Sequence, residues 1–325
     1  YVLAFTAQAS ELYVGGDFDS LGGVARSRLG AVDAATGAAT GWNPQADDRV
    51  RTLLLDGAYV YAGGQFKAVG GQSHEYVAAI DTAGGRPAPW DPVVDAQVLA
   101  LAAHDSTLFI GGYFATVGGQ LRRYLAAVDA NTGGLLPWNA NVDRTPDFIY
   151  DGGPRVMALL LKDSLLYVAG SFKTIGGQYR EGLAAVSTST ARATAWDPRA
   201  YSANVTGAYF RALAISSDTL FVGGLADSLG GAVGSYLAAV STNTAARLDW
   251  DPRPNSSVLT LAMSRDVLYA GGVFSSMSDW AVRRSLAALD ATTGALLPWN
   301  PECDGYVETL LVCGNTVYVG GNFSR

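Results

Sequence analysis

The stretch TLFIGGYFATVGGQLRRYLAAVDANTGGLLPW at residues 107–138 decides the fold. β-Branched and aromatic residues dominate the run 107–114, and the runs 124–130 and 135–138 follow after a Gly-bearing polar connection and a tight Asn-Thr-Gly-Gly turn. With the apolar run VLALAA at 98–103 in front, these segments predict four short antiparallel strands. No segment sustains a 3.6-residue period, so we expect helices to be nearly absent.

This pattern repeats along the chain. Its glycine pair, Ala-Gly in one copy, recurs at steps of 48, 48, 58, 54, 48 and 49 residues. A tryptophan followed by Asn or Asp lies 27 residues after the start of the pair in five copies and 28 in the sixth. These tryptophans are Trp42, Trp90, Trp138, Trp196, Trp250 and Trp299. Four short strands at a period near 48 residues are typical of one β-propeller blade.

We therefore predict an all-β fold, a β-propeller of four-stranded antiparallel blades in a single domain over residues 1–325. The repeats span about 1–48, 49–96, 97–154, 155–208, 209–256 and 257–305, with a partial seventh at 306–325. Seven blades are favoured, the last completed by chain outside this segment, because ring closure leaves no free strand edge. Eight blades, or six with a surplus hairpin, are the alternatives. We expect the segment to belong to a longer multidomain chain or to an assembly.

Most recurrent residues are expected to build the blades. Glycine pairs permit close backbone approach, the Ala-Ala of the third run suits a narrow space, and the indole covers the gap between blades. The Asp-x-x-Thr-Gly pattern at Asp33, Asp129 and Asp290 is hairpin-turn chemistry. Arginine precedes most third strands and could bind an anionic partner, but a structural role is favoured.

Composition and motif content exclude several functional classes. Lys+Arg number 22 against 29 Asp+Glu, a net charge of −7, which argues against a nucleic-acid partner. No apolar run approaches the roughly 18 residues of a transmembrane segment. The two histidines, His74 and His104, lie in different connections, and no nucleophile elbow, P-loop or metal-ligand spacing occurs. We therefore predict no catalytic residue, no metal and no cofactor.

The two cysteines, Cys303 and Cys313, are separated by a strand-like segment. An extended strand holds its ends too far apart for a disulfide, so a local bridge between them is not expected.

Two adjacent repeats carry extra residues in the same connection. From the tryptophan to the next first strand is normally 8 positions, but it is 18 after Trp138 and 14 after Trp196. In an up-and-down blade this connection leaves the same face as the second-to-third-strand connection, so the insertions should lie side by side. A sixth-repeat connection has a tryptophan where other repeats have Gly-Gly. The predicted ligand-binding residues are Phe148, Tyr150, Tyr201, Tyr209, Trp280, Arg144, Arg155 and Arg211. The alternative is that these aromatic residues cap the blades or pack on a neighbouring domain.

The combination GGxF, LAAxD, TG and W[ND]P resembles the delta-60-type β-propeller repeat of large secreted bacterial proteins, a domain of unknown function. The resemblance covers essentially the whole chain, and the fungal cortical polarity-marker propellers are similar too. A weaker likeness is to the quinoprotein repeat, which Ala31-Val32-Asp33 and Thr36-Gly37 match but Trp42 misses by one residue. The resemblance implies an extracellular or cell-surface propeller and carries no active-site residues.

The expected function is a non-catalytic secreted or cell-surface scaffold for binding or adhesion, with a protein or glycan partner on the long-loop face. An enzyme or a quinone-cofactor-type propeller with its site on that face is the alternative.

Overall fold

Every regular element in the described part of the chain is a β-strand. The computed structural model describes residues 1–143, 153–203, 208–233, 236–278 and 280–324. The chain divides into two compact units, Tyr1–Asn139 and Ala140–Arg325, which we call the N-terminal and C-terminal units. The prediction of an all-β fold is confirmed.

The N-terminal unit holds the first three repeats. Its strands are β1 (Val2–Gln8), β2 (Glu11–Gly16), β3 (Ser20–Leu21), β4 (Val24–Ala25), β5 (Leu29–Asp33), β6 (Val50–Asp56), β7 (Tyr59–Gly64), β8 (Ala68–Val69), β9 (Gln72–Ser73), β10 (Val77–Asp81), β11 (Val98–His104), β12 (Thr107–Gly112), β13 (Thr116–Val117), β14 (Gln120–Leu121) and β15 (Leu125–Asp129).

The C-terminal unit holds the fourth to seventh repeats. Its described strands are β16 (Arg155–Lys162), β17 (Leu165–Ser171), β18 (Thr174–Ile175), β19 (Gln178–Tyr179), β20 (Leu183–Ser187), β21 (Tyr209–Ser216), β22 (Thr219–Leu225), β23 (Ser228–Leu229), β24 (Ala232–Val233), β25 (Leu237–Ser241), β26 (Val258–Ser264), β27 (Val267–Gly272), β28 (Ser276–Met277), β29 (Ala281–Val282), β30 (Leu286–Asp290), β31 (Tyr306–Cys313) and β32 (Thr316–Asn322).

Each of the first six repeats is an antiparallel sheet with its second strand in the middle, as in the order β11-β12-β15. The connection from the second to the third strand forms a small hairpin of two strands with two residues each, such as β13-β14. The predicted fourth strand pairs with the third through one antiparallel bridge, Val128↔Leu135 in the third repeat. A longer ladder there is opposed by Pro137, which has no N–H to donate.

The two glycines of each pair are required for different reasons, as the second repeat illustrates. A β-bulge lies between Val50 and Thr52 of β6, opposite the pair. A Cβ on Gly64 would collide with the backbone carbonyl of Arg49 at this bulge. A Cβ on Gly63 would lie 2.8 Å from Cγ1 of Val98, in the first strand of the next repeat. The second glycine therefore permits the bulge, and the first lets neighbouring repeats pack closely.

The motif tryptophans join consecutive repeats within a unit. Trp42 packs edge-on against Tyr13 of its own repeat, with 4.8 Å between ring centroids. Its Nε1 donates to the carbonyl of Asp81, the last residue of the next repeat's third strand, at 2.8 Å. Trp90, Trp196 and Trp250 make the same bond to Asp129, Ser241 and Asp290. These four indoles are 2–7% exposed, whereas Trp138 and Trp299 are half-buried.

The Ala-Ala of the third strand is explained by the same interface. Alternate residues of a strand point to opposite faces of its sheet. Ala78 and Ile80 belong to the core cluster around Trp42 of the preceding repeat. Val77 and Ala79 belong to the cluster around Trp90 of their own repeat. Both faces of the third strand are therefore covered by an indole, and small side chains let both approach.

The recurrent arginines hold backbone carbonyls. Arg180 donates to the carbonyls of Tyr179, Thr194 and Trp196, which ties the hairpin to the fourth segment. Arg26, Arg122 and Arg283 make two such bonds each. In the fifth repeat, Arg247 of the fourth segment donates to the carbonyl of Val233 in the opposite direction. The favoured structural role of the four recurrent arginines is confirmed.

Candidate binding face

Two kinds of connection leave the repeats at the same end. In the N-terminal unit, Ala46 between the first and second repeats pairs with Val69 of the second repeat's hairpin. In the C-terminal unit, Tyr201 between the fourth and fifth repeats pairs with Ser228 of the fifth repeat's hairpin. We call the end formed by the hairpins and these connections the loop face of each unit. The predicted sharing of one face is confirmed within each unit.

A carboxylate or amide five residues after the tryptophan usually caps the next hairpin. Asp47 Oδ1 accepts from the backbone N–H groups of Lys67 and Ala68, and Asn255 Oδ1 plays the same part for its hairpin. Tyr201 occupies this position in the fourth repeat, and its backbone carbonyl accepts from Asp227 and Ser228 instead. The side chain is freed from capping and is 54% exposed.

Buried Glu181 anchors the described ends of the fourth repeat's insertion. The residue is 3% exposed, and its Oε1 accepts from the N–H groups of Ser202 at 3.1 Å and Ala208 at 2.8 Å. The neighbouring Gly182 has φ +69°, and a Cβ on it would lie 2.8 Å from the carbonyl oxygen of Ala208. Glu-Gly occurs at this place in the fourth repeat alone, a signal that sequence reasoning missed.

Tyr179 is linked through Glu181 to Ser202, the residue that follows Tyr201. The Tyr179 hydroxyl donates to Glu181 Oε2 at 2.8 Å, while 57% of the residue is exposed. Partial burial, then the bond to Glu181 and the charges of Glu181 and Tyr201, raise the pKa of Tyr179 to about 12. We call these two exposed tyrosines the tyrosine platform. Tyr179 is held by its hydroxyl bond to Glu181, and Tyr201 by the backbone bonds that its carbonyl accepts from Asp227 and Ser228.

The exposed large apolar side chains of the C-terminal unit all lie on its loop face. They stand in its hairpins, in the connections between repeats, or at strand ends on that side. Among the residues that the structure describes, they are Tyr179, Tyr201, Leu225, Val233, Trp280, Val282 and Tyr306. In the N-terminal unit, Tyr59 is exposed at the opposite end, whereas Val24, Val93 and Leu121 are exposed on the loop-face side. Such one-sided exposure is typical of an interaction surface.

Trp280 departs from the repeat in two ways. It is 83% exposed, and its φ of +77° is the left-handed conformation that glycine adopts at this place in the other five hairpins. A non-glycine residue in this region is strained by roughly 1–3 kcal/mol. The sixth repeat therefore tolerates backbone strain to display an indole on the loop face.

The structure separates the predicted ligand-binding residues into groups. Tyr201 and Trp280 are displayed on the loop face, and the Arg155 guanidinium lies 5.4 Å from the ring centroid of Tyr209. The ends of the two insertions therefore meet in an arginine–tyrosine contact. Arg211 forms an ion pair with Glu308, with 3.0 Å between Nη2 and Oε2. Arg144, Phe148 and Tyr150 lie outside the described residues. Ligand binding by any of the eight stays a prediction.

Two cavities lie away from the loop face. One, of about 230 Å³, is between the fifth and sixth repeats and is lined by Trp250, Asp249 and Asp266 among others. The second, of about 200 Å³, is between the second and third repeats and is lined by Tyr59 and Trp90 among others. No cluster of His, Cys, Asp or Glu in the described ranges could hold a metal ion. No helix of the described chain is long and apolar enough to cross a membrane.

Solved structures similar to this chain share its architecture. A computationally designed protein, Ika8, aligns with 98% of this chain and 92% of its own, at a TM-score of 0.57 and 16% identity. BamB from Moraxella catarrhalis aligns with 98% of this chain and 80% of its own, at 0.52 and 16%. The fold is a β-propeller.

A third similar structure is the extracellular domain of a chain described as a hybrid two-component system from B. thetaiotaomicron. It gives a TM-score of 0.62 at 14% identity, and the match spans 99% of this chain but 37% of that one. No protein-family model matches the sequence, and no curated protein matches it. The resemblance to the delta-60 repeat and the number of blades stay predictions.

Proposed function

We propose that this propeller is a non-catalytic secreted or cell-surface scaffold that binds a protein or glycan partner through the loop face of its C-terminal unit. The tyrosine platform carries the proposal, since Tyr179 and Tyr201 are both more than half exposed and yet held in place. The surface location is supported by the repeat resemblance and by the similarity to a structure that is an extracellular domain.

The chemistry of the platform suits recognition. Tyrosine offers a flat apolar ring for a sugar or an apolar side chain and a hydroxyl for hydrogen bonding. Because its hydroxyl bond to Glu181 already restrains the Tyr179 side chain, less conformational entropy is lost there when a partner binds. Val233 and Trp280, in the next two hairpins, extend the apolar surface across three repeats.

Printed glycans and a photo-crosslinking amino acid test this proposal. The chain is applied to a glycan array, and variants with the crosslinker at position 201 or position 59 are exposed to cell-surface protein extracts. We expect one glycan class or one protein to be bound through position 201, and Tyr179→Ala to reduce this binding about tenfold or more, as loss of a hot-spot side chain does.

Tyr59 is the matched control, because it is an exposed tyrosine at the opposite end of a repeat. Tyr59→Ala should leave binding unchanged. Equal capture from positions 59 and 201, or unchanged binding after Tyr179→Ala, would contradict a site on the platform.

A further inference from the structure

The cavity between the fifth and sixth repeats lies away from the loop face and contains two acidic residues. It has a volume of about 230 Å³ and is lined by the aromatic residues Phe221 and Trp250 and by Asp249 and Asp266, among others. This volume is below the roughly 300–1,000 Å³ of sites for drug-sized molecules, so a ligand of this cavity is small. None of the described residues that line it is a lysine or an arginine. We call it the acidic cavity.

The preceding interface shows which chemical group fits such a place. The ammonium group of Lys162, in the fourth repeat, reaches into the fifth repeat. It donates to Asp218 Oδ1 at 3.0 Å, to Thr242 Oγ1 at 3.2 Å and to the carbonyl of Ser217 at 2.7 Å. The bond from Lys162 lowers the pKa of Asp218, as is expected of a carboxylate beside an ammonium group. An aspartate at this position is thus neutralised by an alkylammonium group of the preceding repeat.

Between the fifth and sixth repeats the aspartate is present without the lysine. Lys162 is the last residue of β16 and Ser216 is the last residue of β21, and each pairs with the residue three positions later. Asp218 and Asp266 each lie five residues before the glycine pair of their repeat, a position that is Ser, Ala or Asn in the other five repeats. Ser216 is therefore the counterpart of Lys162, and Asp266 is that of Asp218. Because serine is short, the acidic cavity, which Ser216 also lines, lies where a lysine side chain would extend.

A second acidic residue lines the same cavity. The residue before the motif tryptophan is glycine, proline or alanine in five repeats and is aspartate only before Trp250. Two carboxylates in one small site repel each other, and a cation beside them removes this repulsion. Aromatic rings attract an ammonium group as well, and Phe221 and Trp250 line the same space. The acidic cavity therefore combines the charges and the rings that suit a small organic cation.

We propose that the acidic cavity binds a primary alkylammonium group. The ammonium takes the place that Lys162 Nζ occupies one repeat earlier and donates to Asp266, with Asp249 as a second acceptor. The alkyl stem packs against Phe221 and Trp250, which removes its apolar surface from water. A free amine or a lysine side chain of a second polypeptide can carry this group, and both present the same chemistry. The site is independent of the loop face.

Titration with butylamine, which is charged at neutral pH, tests this proposal. The nitrogen-15-labelled full chain is titrated at constant ionic strength, and the indole N–H of Trp250, assigned with Trp250→Phe, is followed by NMR. We expect a saturable shift. Butanol has the same stem without the charge and should bind about tenfold or more weakly, because a hydrogen bond to a charged group is worth that factor or more. Asp266→Asn should weaken the binding of butylamine by a similar factor.

Two further amines distinguish the sources of the group. The diamine putrescine represents a free amine, and N-acetyl-lysine methylamide represents a lysine side chain of a polypeptide. Both are titrated in the same way as butylamine. The one that binds more tightly identifies the source, because the two differ only beyond the ammonium group and its stem.

Filling the cavity from within the chain provides an independent check. Ser216→Lys supplies an ammonium group as Lys162 does, so it should raise the melting temperature and abolish the binding of butylamine. Ser264→Lys is the matched control: this serine ends β26, but the counterpart of Asp266 in the seventh repeat is Asn315, so both properties should stay unchanged. Unchanged binding of butylamine in Ser216→Lys or Asp266→Asn, equal affinity for butylamine and butanol, or no saturable shift at millimolar concentration would overturn the proposal.

Discussion

Truncation of one motif tryptophan should reveal the free energy that joins two repeats. Trp250 is 2% exposed and packs on Phe221 with 4.9 Å between centroids. Burying about 200 Å² of indole corresponds to about 5 kcal/mol, and the bond from Nε1 to Asp290 adds about 1 kcal/mol. Because the cavity relaxes in part, we expect Trp250→Ala to lower the free energy of unfolding by about 3–5 kcal/mol. Urea denaturation followed by circular dichroism measures this loss, provided that the substitution does not change the slope of the unfolding free energy against urea concentration.

Trp299 supplies the matched control within the same chain. It contacts Tyr269 as Trp250 contacts Phe221, but it is half-buried and no third strand of a following repeat covers it in the described structure. We expect Trp299→Ala to cost about 2 kcal/mol or less, since less surface is exposed to water on truncation. An equal loss from both substitutions would refute the argument that the following repeat's third strand supplies most of the stabilisation.

Three further predictions concern single positions. Gly63→Ala should lower the free energy of unfolding by about 1–3 kcal/mol, because the new Cβ would lie 2.8 Å from Val98. Gly41→Ala places its Cβ in open space and should change the free energy of unfolding by less than about 0.5 kcal/mol in the same urea assay. Cys303 is buried, and this burial, followed by the charge of Asp304, raises the pKa of its thiol. Iodoacetamide should therefore modify Cys303 more slowly than Cys313 in a mass-spectrometric time course, and equal rates would contradict this ordering. Hydrogen bonds from the backbone N–H and hydroxyl of Thr132 hold the pKa of Asp129 below its ordinary 3.8. The ionised Asp129 carboxylate therefore stabilises the folded protein above pH 3.8, and this stabilisation is lost as the pH falls through the folded pKa. Asp129→Asn should weaken this acid dependence, which thermal melts between about pH 2 and 6 would measure.

The strands of the repeats could be predicted from sequence because each one is short, apolar and bounded by turn residues. The runs at 98–103 and 124–130 correspond to β11 and β15 within one residue at either end. The fourth segment was expected to be a full strand, but it pairs with the third strand through one bridge, and in the third repeat Pro137 lacks the N–H that a longer ladder would need. Local propensity predicts that a segment is extended, but it carries little information about how many backbone hydrogen bonds the segment forms with its neighbouring strand.

Contacts between repeats were largely missed, although the spacing contained them. The aromatic residue two positions before each glycine pair lies 29 residues before the tryptophan in five repeats, and the two rings meet in the structure. The capping Asp or Asn at five residues after the tryptophan was equally regular. These pairings join segments far apart in sequence, so a reading of adjacent residues did not find them.

For the candidate site, sequence reasoning identified Tyr201 and Trp280 from their departure from the repeat, and both are exposed on the loop face. It missed Tyr179, because a tyrosine in a regular hairpin position does not depart in length or pattern. It also treated Arg155 and Tyr209 as separate ligands, whereas they contact each other.

The division between scaffold and surface follows from what each repeated position must contact. The first glycine of each pair, the indole and the third-strand alanines contact a neighbouring repeat, so these positions are nearly constant along the chain, with Ala169 and Gly30 as exceptions. The hairpin residue before the recurrent arginine, or before Gly234 in the fifth repeat, is Leu121 in the third repeat, Tyr179 in the fourth, Val233 in the fifth and Val282 in the sixth, all exposed. An exposed large apolar side chain at such a place adds little to the packing between repeats and costs solubility. Its presence in four consecutive repeats is therefore better accounted for by a partner that covers this side of the repeats than by the needs of the fold.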